Sequence, residues 1–392
     1  MADKNLWVLP DGVNEITLEL ATPMEKLRRK ILDEFAVWGY DLVFPPLIEF
    51  LDSILTGSSS ELDLQTFKLT DQLSGRQMGV RADMTPQVAR IDAHVRKKDE
   101  PDRLCYLGPV LRAKAHGVGA SRTPIQLGAE LFGHSGLASD IEIVRLMLKV
   151  LKIANITEVT LDIGHVGVFR AIIEQGNIKK EVENNIRDIL QRKAINELEN
   201  YLADIKFDKK ITNMLLALPN LYGDSKILEV ALDKLGSENP VINKAVGDMR
   251  SLADSLGSEV GVNVVFDLAE LRGYSYHTGL VFAAFVEGKG SSIAKGGRYD
   301  EIGKSFGRPR PATGFSADLV ELVRLSKPDY FKQAIFAPAL KDEKLDNKIN
   351  ELRQAGEVVI CELKDQHGDA KAMGCNRALV LQDGVWQIQN LV

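Results

Sequence analysis

The chain has 392 residues, 45% of them hydrophobic and 27% charged, with a formal net charge of −6. That length and balance describe a globular protein of about two or three domains with a large core, and the acidic balance argues against a broad nucleic-acid surface. No apolar run reaches about eighteen residues, the N-terminus has no apolar signal core, and Cys105, Cys361 and Cys375 form no CxxC pair; a membrane span, a secretory leader, a disulfide framework and a cysteine-ligated zinc site are all disfavoured, and the cytosol is the expected compartment.

In chain order, Thr22, Pro23 and Glu25 read as the capped start of a helix whose apolar face is Met24, Leu27, Ile31 and Phe35, ending near Gly39. The extended stretch DLVFPPLIEF follows, and its prolines 45 and 46 point to a sheet edge or an interface. Residues 64–90 read as strand, turn, strand and helix, and 103–113 and 125–132 as further strands joined by the polar loop KAHGVGASRTP. Ser139 with Glu142 predicts a second capped helix, with a strand after it at 158–164. Residues 169–256 turn rich in Lys, Glu, Asn and Leu at helical spacing and read as an inserted helical subdomain. Strands return at 262–268 and 280–287, GGRYD at 296–300 reads as a turn, and helices are expected after GGRYDEIG and over 315–326. After Pro328 a small unit restarts: strand, helix, strand, and a hairpin turning at Asp383 and Gly384. Adjacent, hairpin-like strands in the main body predict an α+β fold with a mostly antiparallel sheet flanked by helices, and domains at 1–327 and 328–392.

No Walker A sequence, HExxH or GxSxG is present, and the six histidines are scattered, so neither a cofactor nor a metal is expected. The strand 125–132 is more informative. Ile125, Leu127, Ala129 and Leu131 share one face; Gln126, Gly128 and Glu130 share the other, where a bare Gly128 leaves room for a ligand between two polar side chains. Alone, that pattern fits a solvated sheet face better. Arg81, Asp83 and Thr85 alternate, Arg112 ends a strand, and Arg272, Tyr276 and His277 crowd one glycine-bounded turn, which favours a small polar ligand.

These segments together resemble the histidyl-tRNA synthetase family of class II folds over about residues 10–325. RADMTPQVAR (81–90) is similar to that family's RPEGTAGxVR; LGPVLRAK with QLGAELFG is similar to its motif 2 region; RGYSYHTGLVF is similar to RGLDYYxxxVF, and GGRYDEIG to GGRYDGL. The resemblance implies that Asp83, Thr85, Arg112, Gln126, Glu130, Arg272, Tyr276, His277 and Tyr299 line an amino-acid pocket. Asp83 stands where the family has glutamate and His277 where it has tyrosine.

The ATP side departs further. Lys114 replaces a glutamate that helps hold ATP, Pro124 an aromatic that stacks on adenine, and Glu321 the arginine of motif 3 that grips a terminal phosphate. A carboxylate there repels a polyphosphate, and the charge stabilising in-line attack is gone. Only 65 residues follow Lys327 (392 − 327), fewer than the synthetases' anticodon-binding domain needs, which with the acidic charge disfavours tRNA. The combination resembles the regulatory subunits of ATP phosphoribosyltransferase, as do LPDGVNEI and LDIGHVGVFRAII. That resemblance implies a non-catalytic chain with four expectations: it self-associates as a dimer, joins the short-form catalytic subunit in a hetero-octamer of four plus four, activates it, and mediates feedback inhibition by histidine in the first step of histidine biosynthesis. The alternative is an atypical histidyl-tRNA synthetase or another ATP-dependent ligase on the class II fold.

Overall fold

The computed structural model describes residues 8–56, 60–114, 121–205, 207–257, 259–326 and 333–391. The chain divides into two compact units, Met1–Lys327 and Pro328–Val392. The first contains strands β1 (Asp41–Leu42), β2 (Ile48–Phe50), β3 (Phe67–Thr70), β4 (Gln77–Val80), β5 (Asp102–Pro109) and β6 (Ile125–Phe132). It continues with β7 (Val159–His165), β8 (Tyr222–Gly223), β9 (Val262–Asp267), β10 (Leu280–Phe285), β11 (Ala294–Arg298) and β12 (Ala312–Asp318). Nine of these form one sheet in the order β1-β5-β6-β12-β11-β10-β7-β9-β8, while β2-β4-β3 make a separate three-stranded sheet. The pairings β5–β6, β6–β12, β12–β11, β11–β10 and β10–β7 are antiparallel; β1–β5 and β7–β9 are parallel. The fold is therefore α+β around a mostly antiparallel sheet. The proline-bearing segment lies between two edge strands, β1 and β2, where a missing N–H breaks no ladder.

One sheet face packs against helices, and the alternation in β6 shows why: Leu127, Ala129 and Leu131 enter the main core with Ile31, Phe35, Val144 and Met147. The opposite face carries a smaller cluster around Met84, Tyr106, Phe132 and Tyr299, and the candidate site lies on that side.

Several local expectations change. The first helix runs Leu18–Val37, a turn earlier than Thr22, with Thr17 at its N-cap. Pro23 sits inside it, in the second turn, where it removes the hydrogen bond to the Glu19 carbonyl. The second helix spans Leu137–Ile153, not from Ser139. Its expected capping pair has tertiary partners instead: Ser139 Oγ accepts from Arg298 at 2.8 Å, and Glu142 takes Arg103 at 2.7 and 2.8 Å and the Tyr40 hydroxyl at 2.9 Å. GGRYD is not a turn, since its Gly296, Gly297 and Arg298 belong to the central strand β11. Residues 315–318 continue β12, and the helix begins only at Leu319. The strand expected over 103–113 ends at Pro109. The loop expected at 114–124 falls largely on 115–120, outside the described residues.

The helical segment begins at Val166 and runs through six helices to Leu256, broken by the two-residue β8 that extends the sheet. Helices Val166–Gln175 and Pro240–Leu256 share the main core, through Phe169, Ile172, Val246 and Met249. Asn239 caps the second of these, accepting from the Val241 N–H at 3.0 Å.

The second unit is a four-stranded sheet, β14-β13-β15-β16, formed by β13 (Ala334–Ala337), β14 (Val358–Cys361), β15 (Arg377–Gln382) and β16 (Val385–Asn390). The helix Glu343–Gln354 covers it through Leu345, Ile349 and Leu352. Asp383 (φ 50°) and Gly384 (φ 76°) make the tight turn between β15 and β16.

Candidate functional site

A cavity of about 260 Å³ opens on the sheet beside β6, β11 and β12. Three segments wall it: the loop and helix start after β4, the extended segment after β5 that carries Arg112, and the 271–279 turn before β10. Asp83, Thr85, Arg112, Gln126, Glu130, Arg272, Tyr276, His277 and Tyr299, far apart in sequence, all line it.

Glu130 is the centre of its hydrogen bonding. The carboxyl is 1% exposed, and the hydroxyls of Thr85 (3.0 Å), Tyr106 (2.9 Å) and Tyr299 donate to it. Burial pushes its titration up to about 8 despite those donors, with the neighbouring Asp83 adding to the rise. Asp83 Oδ1 accepts from Gln126 Nε2 at 2.8 Å and from the Thr85 N–H at 3.0 Å, and Gln126 Oε1 accepts from the Met84 N–H at 2.9 Å. The Tyr276 ring stacks on Tyr299 at 4.9 Å. Two buried donors of the lining, Arg112 Nε and the Tyr276 hydroxyl, have no hydrogen-bond partner among the described residues. Such groups are costly to leave unpaired, which marks them for a ligand.

Arg272 is held differently. It is about half exposed, and its Nε lies 2.8 and 2.7 Å from the two Glu270 oxygens. Asp162, Asp267 and Glu270 bring carboxylate oxygens within 4.8 Å of one another, a geometry open to a cation, but Lys193 (3.0 Å from Asp267) and Arg272 already counter them. Burial and those acidic neighbours push Asp162 up to about 7.

Two residues have roles other than those expected from the sequence. Gly128 does not leave room for a ligand, because the Tyr106 hydroxyl fills that space and a Cβ there would lie 2.4 Å from it. Arg81 does not face the cavity; it ties the Pro45 and Pro109 carbonyls at 2.5 and 2.9 Å. The cavity also includes Glu270, Lys295 and Ser316, which sequence reasoning passed over, and Tyr106 acts behind it. Tyr106 shares a strand face with Leu104 and Gly108, and only the register opposite Gly128 brings it to Glu130. Lys114, Pro124 and Glu321 lie off the cavity lining: Lys114 is exposed, Pro124 buried, and Glu321 ion-paired with Lys289.

Comparison with known proteins gives the lineage. Residues 12–322 match the family model described as histidyl-tRNA synthetase, and 332–389 the one described as ATP phosphoribosyltransferase subunit HisZ C-terminal domain. The chain is 53% identical over 375 residues to the ATP phosphoribosyltransferase regulatory subunit of Methylococcus capsulatus, covering 94% of this chain and 92% of that one. It is 46% identical over 395 residues to the subunit of the same name in Stutzerimonas stutzeri, covering all of both chains. Among solved structures, an ATP phosphoribosyltransferase regulatory subunit/histidyl-tRNA synthetase from Bacillus halodurans aligns with a TM-score of 0.81 at 28% identity, over 94% of this chain and 96% of the other. A histidyl-tRNA synthetase from Nostoc aligns with a TM-score of 0.77 at 19% identity, over 96% and 91%, a likeness of fold. With full-length relatives near half identity, both segments matched and the fold shared, the chain belongs to the ATP phosphoribosyltransferase regulatory subunit family, built on the histidyl-tRNA synthetase fold.

Proposed function

We propose that this regulatory subunit binds free histidine in the cavity and does not activate it. The observation that carries the reading is the pair of buried donors without a partner among the described residues, Arg112 Nε and the Tyr276 hydroxyl, in a cavity that also holds the carboxyl of Asp83. A zwitterionic amino acid needs both: a guanidinium for its carboxylate and a carboxylate for its ammonium. The ATP side offers no such complement. Glu321 presents a carboxylate where an arginine would meet a phosphate, and it is engaged with Lys289.

On this reading the chain acts through a partner of the kind its relatives' name implies, a short-form ATP phosphoribosyltransferase catalytic subunit, in an assembly of four plus four. It raises the partner's turnover, and histidine and partner bias one conformational equilibrium, so histidine inhibits. Self-association uses the edge segment 44–50, where Phe44, Leu47, Ile48 and Phe50 are all exposed. No described helix is long and apolar enough to cross a membrane.

Calorimetric titration of the full chain with histidine tests the site. Saturable binding that Arg112→Ala weakens at least tenfold is expected, and absence of binding refutes it. Histidine-dependent ATP–pyrophosphate exchange by the chain alone overturns the non-catalytic reading, and a short-form phosphoribosyltransferase whose turnover ignores added chain overturns the regulatory one.

A further inference from the structure

Resting on the proposed occupancy by histidine, we infer that His277 reads the effector's ring: its Nε2 is a fixed hydrogen-bond acceptor, so the cavity selects a side chain that brings an N–H. The inference begins with the other ring nitrogen. His277 Nδ1 lies 3.3 Å from the backbone carbonyl oxygen of Arg298. A carbonyl oxygen only accepts, so this contact is a hydrogen bond only when Nδ1 carries the proton. In a neutral imidazole, Nε2 is then a bare lone pair.

The ring is held in that state from several sides. The His277 N–H donates to the Gly273 carbonyl at 2.8 Å, and its own carbonyl accepts from Arg170 at 3.2 Å. The Arg298 carbonyl is fixed in turn, since it also accepts from the Thr278 N–H at 2.7 Å. The Arg298 guanidinium is clamped by Asp140 (2.7 and 3.1 Å), Ser139 Oγ (2.8 Å) and the carbonyls of His134 and Gly136 (3.1 Å each). Burial pushes His277 down to about 4, so the ring stays neutral at neutral pH.

Nε2 has no partner among the described residues, and His277 lines the cavity. Arg112 and Tyr276 present donors, and Glu130 already receives three hydroxyls. A neutral acceptor meeting a ring without N–H is left unpaired, and such a mismatch discriminates more strongly than a change of shape.

Two measurements on the full chain test this. The first is calorimetric titration with histidine and with 2-thiazolylalanine, whose ring has similar shape and no N–H, using wild type, His277→Phe and His277→Tyr. Wild type is expected to bind histidine at least about tenfold more tightly. His277→Phe, with no acceptor, should bring the two ligands within about twofold, and His277→Tyr, whose hydroxyl both donates and accepts, should also narrow the gap. Equal affinities in wild type overturn the inference and leave the proposed function standing, whereas binding of neither ligand overturns the proposed function and this inference with it. The second needs no variant: nitrogen-15 NMR of histidine-labelled wild type should report the Nδ1–H tautomer for His277, and the Nε2–H tautomer refutes the mechanism.

Discussion

Glu130→Gln isolates the electrostatics of the cavity. The carboxyl is 1% exposed, and its titration moves from 4.5 to about 8, burial being the main cause. The folded chain therefore holds this proton more tightly than the unfolded chain. The stability due to the neutral carboxyl is fully present below about pH 4.5 and is lost as pH rises through about 8. The gap between those values corresponds to about 5 kcal/mol. Residues 1–327 form the unit involved. At an unfolding entropy of about 2.1 cal/mol/K per residue, 5 kcal/mol in a unit of that size is about 7 °C in Tm. Glutamine keeps an acceptor for the hydroxyls and has no proton to lose. Scanning calorimetry should find wild type and variant close near pH 5, and near pH 9 a wild type about 7 °C less stable than the variant, on the same reckoning. Parallel Tm–pH curves for the two proteins would refute the claim that a neutral carboxyl is buried here.

Two further substitutions probe the frame around the site. Asp140→Ala removes the partner of a guanidinium whose side chain is 9% exposed, and should cost about 3–5 kcal/mol in urea unfolding; a loss below about 1 kcal/mol would show that the pair is not anchoring β11. Gly314→Ala puts a Cβ 1.6 Å from Glu130 Oε2 and 2.8 Å from the Ala129 carbonyl, so Glu130 must leave its hydroxyl donors. Histidine affinity should fall at least about tenfold by calorimetry, and unchanged affinity would mean that the Glu130 geometry is dispensable.

Strands were easier to read from the sequence than helix starts, for a physical reason. β6 was expected over 125–132 and spans Ile125–Phe132, because its two faces meet different surroundings and each residue reports its side. Thr22 and Ser139 had the right side chains for caps, but the first helix begins before Thr22 and Ser139 is engaged by Arg298. Local cap patterns carry no information about such distant partners. GGRYD was read as a turn because paired glycines usually punctuate chains; here they permit close approach between central strands. Strand alternation alone singled out Gln126 and Glu130, and the motifs gathered them with the other seven expected residues that line the cavity. Tyr106 was missed because its role depends on a strand register, and the pairing of Glu321 with Lys289 because it spans 32 residues.

The floor and walls of the cavity are made of different material. The floor includes Gly296, Gly297 and Gly314, main chain locked in the β11–β12 ladder, while Asp83 and His277 stand on the loops that wall it. A floor substitution forces a side chain into occupied space, whereas a wall substitution changes a few side-chain contacts and leaves the ladder intact. Drift in what such a protein recognises therefore has an open route through the walls and a closed one through the floor. A population of these chains that changed ligands over evolutionary time would carry the record at Asp83 and His277, over an unaltered bed of glycines.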